Sequence, residues 1–414
     1  MTVPDHLKIT GPEDVLGFIP HSLGYWPSRS LVAMTMQGKR LGATLRVDLP
    51  GDGSPGGYTG FAGTVAGYLE ADDHADGVLL AFFTGSDVTV TGGAGAAWAE
   101  LLEELENALA ESGMPVRDAW LIGAERWRNA YCADPGCCPP HGRPIDEIRN
   151  SKLNAEMVFR GSTVGPAPGA EATRPVPQPE DPAVLEAERN WYRLFAGHTR
   201  DRAQYSQVLD VWDVALRSPA GARLPVELAG YLRAALRVPA WRDALLVMAA
   251  AGPEAAEQGA ADFGMFDPSR PRPRPGAPVP LPPLDGFGPF LPRGGTAGGG
   301  SDGAPAVPGY GEVLLGLAPS VPDWPRIASL ERILVQLGEA GGGEAAAAAL
   351  TGRGWIEWCR GKGSFADALF SRADAEHPGY RLAALLTELV SRGTLCGWAA
   401  RRDAAWQKFE PGAA

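Results

Sequence analysis

Apolar positions in the first 165 residues follow two periods. Ser30 to Met36 (SLVAMTM) and Leu41 to Leu49 (LGATLRVDL) have the length and residue types of strands. Gln37-Gly-Lys-Arg between them has hairpin length. Gly77 to Thr84 (GVLLAFFT) is a short apolar run, which suits a strand buried on both faces. From Ala97 to Glu111 the period changes. Trp98, Leu101, Leu102, Leu105 and Leu109 form one helical stripe, with Glu100, Glu103, Glu104 and Glu106 largely off it. Glu13 to Ile19 and Phe61 to Ala71 are further helices, and Val116 to Gly123 and Arg126 to Cys132 further strands. Helices alternate with strands while the opening hairpin is antiparallel. The expectation is an α/β N-terminal domain with a mixed sheet.

Beyond it the pattern is helical. Pro182 to Ser218 carries Trp191, Leu194, Phe195, Leu209 and Trp212, and Leu224 to Ala251 holds two helices broken at Pro239. Ile327, Leu330, Leu334 and Leu337 make one stripe, and Leu382, Leu385, Leu386, Leu389 and Val390 another. Between them, Ala366-x3-Phe370-x2-Ala373-x4-Pro378 matches the second half of a tetratricopeptide repeat, in which small residues let paired helices approach. One copy predicts helical hairpins rather than a repeat array. Proline and glycine punctuate the chain unevenly. Asp267 to Pro308 contains 12 prolines and 9 glycines in 42 residues, which predicts a disordered spacer. Its run Arg270-Pro-Arg-Pro-Arg-Pro could also dock in an aromatic groove. The expected organisation is an α/β domain over 1–165, a short Pro/Gly-rich linker over 166–182 and a helical region over 183–266. A disordered Pro/Gly-rich linker follows over 267–310, then a helical, repeat-like region over 311–414.

Charge narrows the partners. Residues 1–165 hold 12 Lys and Arg against 21 Asp and Glu, and the whole chain carries −12. Without a basic segment, general nucleic-acid binding is not expected. The longest strictly apolar run, Ala244 to Ala251, is too short to cross a bilayer, and Met1 to Thr10 lacks a secretory pattern. Five cysteines, an odd number and unevenly spread, argue against a disulfide framework and for a cytoplasmic protein.

Several separate stretches agree in order and spacing. They are Ile19-Pro-His-Ser-Leu-Gly-Tyr-Trp-Pro-Ser-Arg-Ser-Leu-Val32, Leu45-Arg-Val-Asp-Leu49, Tyr131-Cys-Ala-Asp-Pro-Gly-Cys-Cys-Pro139 and Gly142-Arg-Pro144. Trp241-Arg-Asp-Ala-Leu-Leu246 and Ala375-Glu-His-Pro-Gly-Tyr-Arg-Leu-Ala-Ala-Leu-Leu386 complete the set. Together they resemble a family of actinobacterial proteins classed as a domain of unknown function, with a Cys-x4-Cys-Cys-Pro motif. The resemblance covers nearly the whole chain, with 267–310 as an insertion. It implies a cytoplasmic bacterial protein and carries no activity, cofactor or catalytic residue.

The sharpest candidate chemistry is Cys132-x4-Cys137-Cys138-x2-His141. Three thiols and an imidazole are a complete donor set for tetrahedral zinc, although four ligands within ten residues strain one loop. A packed structural loop and a redox role are the alternatives. Arg46 and Asp48 share a strand face and could serve a ligand site at the sheet edge, or form a surface ion pair. His21 and Ser22 are adjacent polar residues within the family-like motif.

Weaker signals read as local structure. Thr91-Gly-Gly-Ala-Gly-Ala-Ala-Trp98, after a strand candidate at Asp87 to Val90, lacks the third glycine of a dinucleotide loop. Asp72-Asp73-His74-x-Asp76 lacks calcium-loop spacing and reads as a solvated turn. Gly299-x-Ser301-x-Gly303 has neither the strand nor the helix of a nucleophile elbow.

No catalytic motif is recognisable, so the sequence leaves enzyme status open. The reading it supports is a non-catalytic interaction or regulatory protein with a protein partner on the helical region. The alternative is an enzyme or small-ligand sensor, with a site on the α/β domain at the sheet edge near Arg46, Asp48 and the Cys132–His141 cysteine loop.

Overall fold

The computed structural model describes residues 9–51, 57–85, 93–169, 180–262, 264–266, 277–284, 286–287 and 307–407. Two compact units divide the chain, Met1–Ala170 and Glu171–Ala414.

The first unit runs α1 (Pro12–Leu23), β1 (Ser30–Gln37), β2 (Arg40–Asp48), α2 (Gly57–Leu69), β3 (Gly77–Phe83), α3 (Gly93–Glu111) and β4 (Val116–Ile122). It continues through β5 (Arg126–Asn129), β6 (Arg143–Pro144), α4 (Asp146–Arg149) and α5 (Lys152–Phe159). The six-stranded sheet has the order β2-β1-β3-β4-β5-β6. Only β3 and β4 pair in parallel, through the crossover helix α3, so the sheet is mixed. Gly38 closes the β1–β2 turn with a positive φ of 63°, a conformation that favours glycine.

Alternate residues of the central strands face two cores. Leu31, Ala33, Val78, Leu80 and Phe82 pack under α2 and α3 with Leu101, Leu105 and Leu109. Val32, Met34, Leu79, Ala81 and Phe83 pack on the other face with Val15, Leu16 and Ile19 of α1 and Ile148 of α4. Burial on both faces explains why β3 has no polar alternation. Trp120, Ile122 and Trp127 extend this second face.

The polar residues around the sheet tie elements together. Asp72 accepts from Thr35 Oγ1 at 2.5 Å, Gln37 Nε2 at 2.7 Å and the Ala43 N–H at 3.3 Å. Asp76 Oδ2 accepts from the Gly38 N–H at 2.8 Å. Burial pushes the Asp72 carboxyl up, but these hydrogen bonds outweigh it and hold it below the usual range. Asp72 and Asp76 thus clasp the hairpin. His21 is buried, its Nε2 donating to Asn154 Oδ1 at 2.7 Å and its Nδ1 lying 3.0 Å from Ser162 Oγ. It staples α1 to α5 and the turn beyond it.

The second unit contains α6 (Pro182–Phe195), α7 (Arg202–Leu216), α8 (Val226–Leu236), α9 (Pro239–Ala251) and α10 (Pro253–Asp262). After these come α11 (Tyr310–Leu314), α12 (Trp324–Glu339), α13 (Glu344–Cys359), α14 (Gly363–Glu376) and α15 (Arg381–Ser391). Asp181, Asp201 and Asp323 cap α6, α7 and α12 through side-chain oxygens. Pro239 starts α9, where its missing N–H costs nothing.

One hydrophobic core draws on residues before and after the Pro/Gly-rich stretch, from Val184 to Ala404. Small residues allow close helix approach within it. A Cβ on Gly230 would lie 2.5 Å from that of Ala187, and one on Gly354 would clash with the Phe370 ring. Arg233 is fully buried and crosses between the two sequence segments. It pairs with Glu188 at 2.7 Å and donates to the carbonyls of Leu337, Gly341 (3.0 Å) and Gly342 (2.8 Å).

The spacer expectation fails at 277–284. Val279 is buried, its N–H donates to Gln204 Oε1 at 2.8 Å, and its carbonyl accepts from Gln207 Nε2 at 2.7 Å. Flanked by Pro278 and Pro280, it offers an N–H, a carbonyl and an apolar side chain to dock. The Arg270 proline run, the Gly299–Gly303 pattern and the Asp87–Val90 strand lie outside the described residues.

Candidate metal and ligand site

The cysteine loop joins β5 to β6 and is shaped by its own hydrogen bonds. Asn129 Oδ1 accepts from the N–H groups of Tyr131 at 2.9 Å and Cys132 at 3.0 Å. The Asp134 carbonyl accepts from Cys137 N at 3.2 Å and Cys138 N at 2.7 Å, and its side chain from Gly136 N at 2.8 Å. Gly142 closes the loop at φ 76°, where a Cβ would come within 2.8 Å of the Trp127 carbonyl oxygen. The turn at Asp134 reverses the chain and brings its cysteines together.

The sulfurs of Cys132, Cys137 and Cys138 all lie within 4.8 Å of one another, close enough to hold a metal ion. Cys137 is exposed, Cys132 half-buried and Cys138 buried. The Asp134 N–H, then the Cys138 and Cys137 thiols, donate to the Cys132 sulfur and lower its pKa. Its hydrogen bond and charge in turn push the Cys137 thiol up.

His141 is not in this trio. It lines a neighbouring depression of about 560 Å³ with Arg126, Cys137 and Arg143. Arg46 and Asp48 form a 2.5 Å ion pair on β2, with Arg46 Nε donating to Ser30 Oγ at 2.8 Å. Strand β2 is the far edge of the sheet, four strand spacings or about 19 Å from β5. A joint site of Arg46, Asp48 and the cysteine loop is therefore excluded by strand order, which sequence alone does not give.

Sequence reasoning missed the residues beneath the loop. A second depression of about 380 Å³ is lined by Trp120, Trp127, Asn129, Cys132, Cys138 and Arg143, among others. Trp120 lies opposite Asn129, and Trp127 opposite Arg143, in the strand register. Both tryptophans are 2% exposed, and neither indole N–H finds an acceptor among the described residues. An unmet buried donor costs about 1–3 kcal/mol, so each calls for an explanation. The Arg143 guanidinium lies 4.7 Å over the Trp127 ring and pairs with Glu147 at 2.7 Å. The sequence signal was Trp127-Arg-Asn129 shortly before Cys132, but pairing was needed to join it to Trp120.

No helix among the described residues is long and apolar enough to cross a membrane. Comparison with curated proteins and with solved structures finds no match. A family model described as Domain of unknown function (DUF4192) matches residues 12–261 and 323–395. The match covers the sheet, the cysteine loop and most of the helical unit, and breaks around the Pro/Gly-rich stretch. This chain therefore belongs to the DUF4192 family of domains of unknown function.

Proposed function

We propose that the chain is a non-catalytic regulatory or interaction protein of the cytoplasm, with zinc in its cysteine loop and a protein partner on its C-terminal helices. The gathering of three sulfurs within 4.8 Å carries the metal reading. Zinc–thiolate bonds of about 2.3 Å at the tetrahedral angle set sulfurs roughly 3.8 Å apart. An inward adjustment of about an ångström therefore suffices. Zinc would lock the loop against β5 and couple its order to metal supply. His141 or an outside group would complete the ligand set.

The partner surface is argued from α15. Leu385 is 58% exposed, while Leu382, Leu386, Leu389 and Val390 beside it are half-buried. The other stripe, Ile327, Leu330, Leu334 and Leu337, is buried in the core. Deleting 311–414 would strip Arg233 of its carbonyl partners, so a point change is the cleaner test. Leu385→Glu should leave circular dichroism unchanged and abolish a partner that the wild-type chain captures from its native cells. Equal capture by both proteins, or none by either, would count against the partner reading.

A second reading, an enzyme or small-ligand sensor, is favoured by the two depressions beside the cysteine loop.

A further inference from the structure

We propose that the smaller depression beside the cysteine loop binds a small carboxylate-bearing molecule with a flat apolar body. The strand register puts Trp120, Asn129, Trp127 and Arg143 on one face of the sheet as a contiguous patch. These residues, with Cys132 and Cys138, line a space of about 380 Å³, at the small end of ligand sites.

The lining is rich in donors. Both indole N–H groups lack an acceptor among the described residues, and indole can only donate. The nearby acceptor is spent, because Asn129 Oδ1 takes the N–H groups of Tyr131 and Cys132. Asn129 Nδ2 is also committed, donating to Asp118 at 2.5 Å. Arg143, paired with Glu147 at 2.7 Å, places a guanidinium at the rim that an incoming anion would share with that carboxylate. A complementary ligand must therefore supply acceptors, and a carboxylate does so while competing with Glu147 for the guanidinium. The aromatic rings favour a flat apolar body. Both indole nitrogens are covered, so an oxygen reaches either one only when the lining shifts, and Arg143, over the Trp127 ring, is the rim side chain placed to move. Arg143 sits on the two-residue edge strand β6, where few backbone bonds oppose such a shift.

This inference shares the cysteine loop with the zinc reading but does not require metal. The test titrates benzoate into the full-length chain, metal-free and zinc-loaded, with ¹⁵N-labelled indoles followed by NMR. Zinc content is measured on the same samples, so a failure of the zinc reading leaves this result standing. Two indole signals should shift saturably, and Trp120→Phe and Trp127→Phe should each remove one. Each substitution should weaken binding about tenfold, and neutral benzamide should bind at least about tenfold more weakly than benzoate. If a variant misfolds, a second readout on the wild-type chain still decides. Benzoate should slow iodoacetamide alkylation of Cys132 and Cys137 and leave buried Cys359 unaffected. The proposal is overturned by the absence of a saturable shift up to about 20 mM benzoate. Binding seen only with zinc and indifferent to both tryptophan substitutions would overturn it equally.

Discussion

Replacing Arg233 tests whether the helices before and after the Pro/Gly-rich stretch form one cooperative body. The Arg233→Met variant keeps an apolar stem in the core and removes the charge. Among the described residues, Glu188, itself buried, would keep Arg237 as its one ion-pair partner, 3.4 Å away. The carbonyls of Leu337, Gly341 and Gly342 would each lose a donor. Breaking a buried, hydrogen-bonded pair costs about 3–5 kcal/mol, and the remaining Arg237 places this case near 3. That is roughly a hundredfold in the opening equilibrium. A global midpoint would blur two units, so hydrogen exchange read peptide by peptide is the suitable assay. Amides of α8 and α13 should lose protection together by about two orders of magnitude. Exchange within threefold or so of wild type would refute the reasoning, as would loss confined to α8.

Two further changes probe the first unit. Asp72→Asn should cost about 1–2 kcal/mol, discounted for the carboxylate's partial exposure. Because its folded pKa is depressed, its contribution is present above the unfolded value near 3.8 and is lost as pH falls through the lower folded value. The wild-type advantage in urea melts should therefore shrink in acid, and a constant difference down to pH values near 2 would contradict this. Gly142→Ala should strain the cysteine loop by about 1–3 kcal/mol, since φ is 76° and the new Cβ meets a backbone oxygen. Faster alkylation of Cys138, with an unchanged rate at Cys359, is the expected result.

Much of the fold is legible in local pattern. The GVLLAFF run of β3 announces a strand buried twice over, and the Leu101, Leu105 and Leu109 stripe announces α3. Pro239 divides α8 from α9 because a proline opens a helix more readily than it continues one. What escapes local pattern depends on distant pairing. Arg233 meets carbonyls more than 100 residues away, and nothing in its own helix marks it as buried. Strand order separates Arg46 and Asp48 from the cysteines, although both segments are visible as motifs. Val279 docks inside a stretch whose composition predicts a solvated spacer, because one apolar residue between prolines keeps both backbone groups for bonding. The cysteine spacing points to the loop, but only the turn at Asp134 decides that three sulfurs converge while His141 stays outside.

The most direct test is the zinc content of the full-length chain purified without chelator. About one equivalent is expected by elemental analysis, lost in Cys137→Ser, with the loop from 130 to 142 then exchanging amide protons faster. A metal-free protein that keeps this loop fully protected would contradict it.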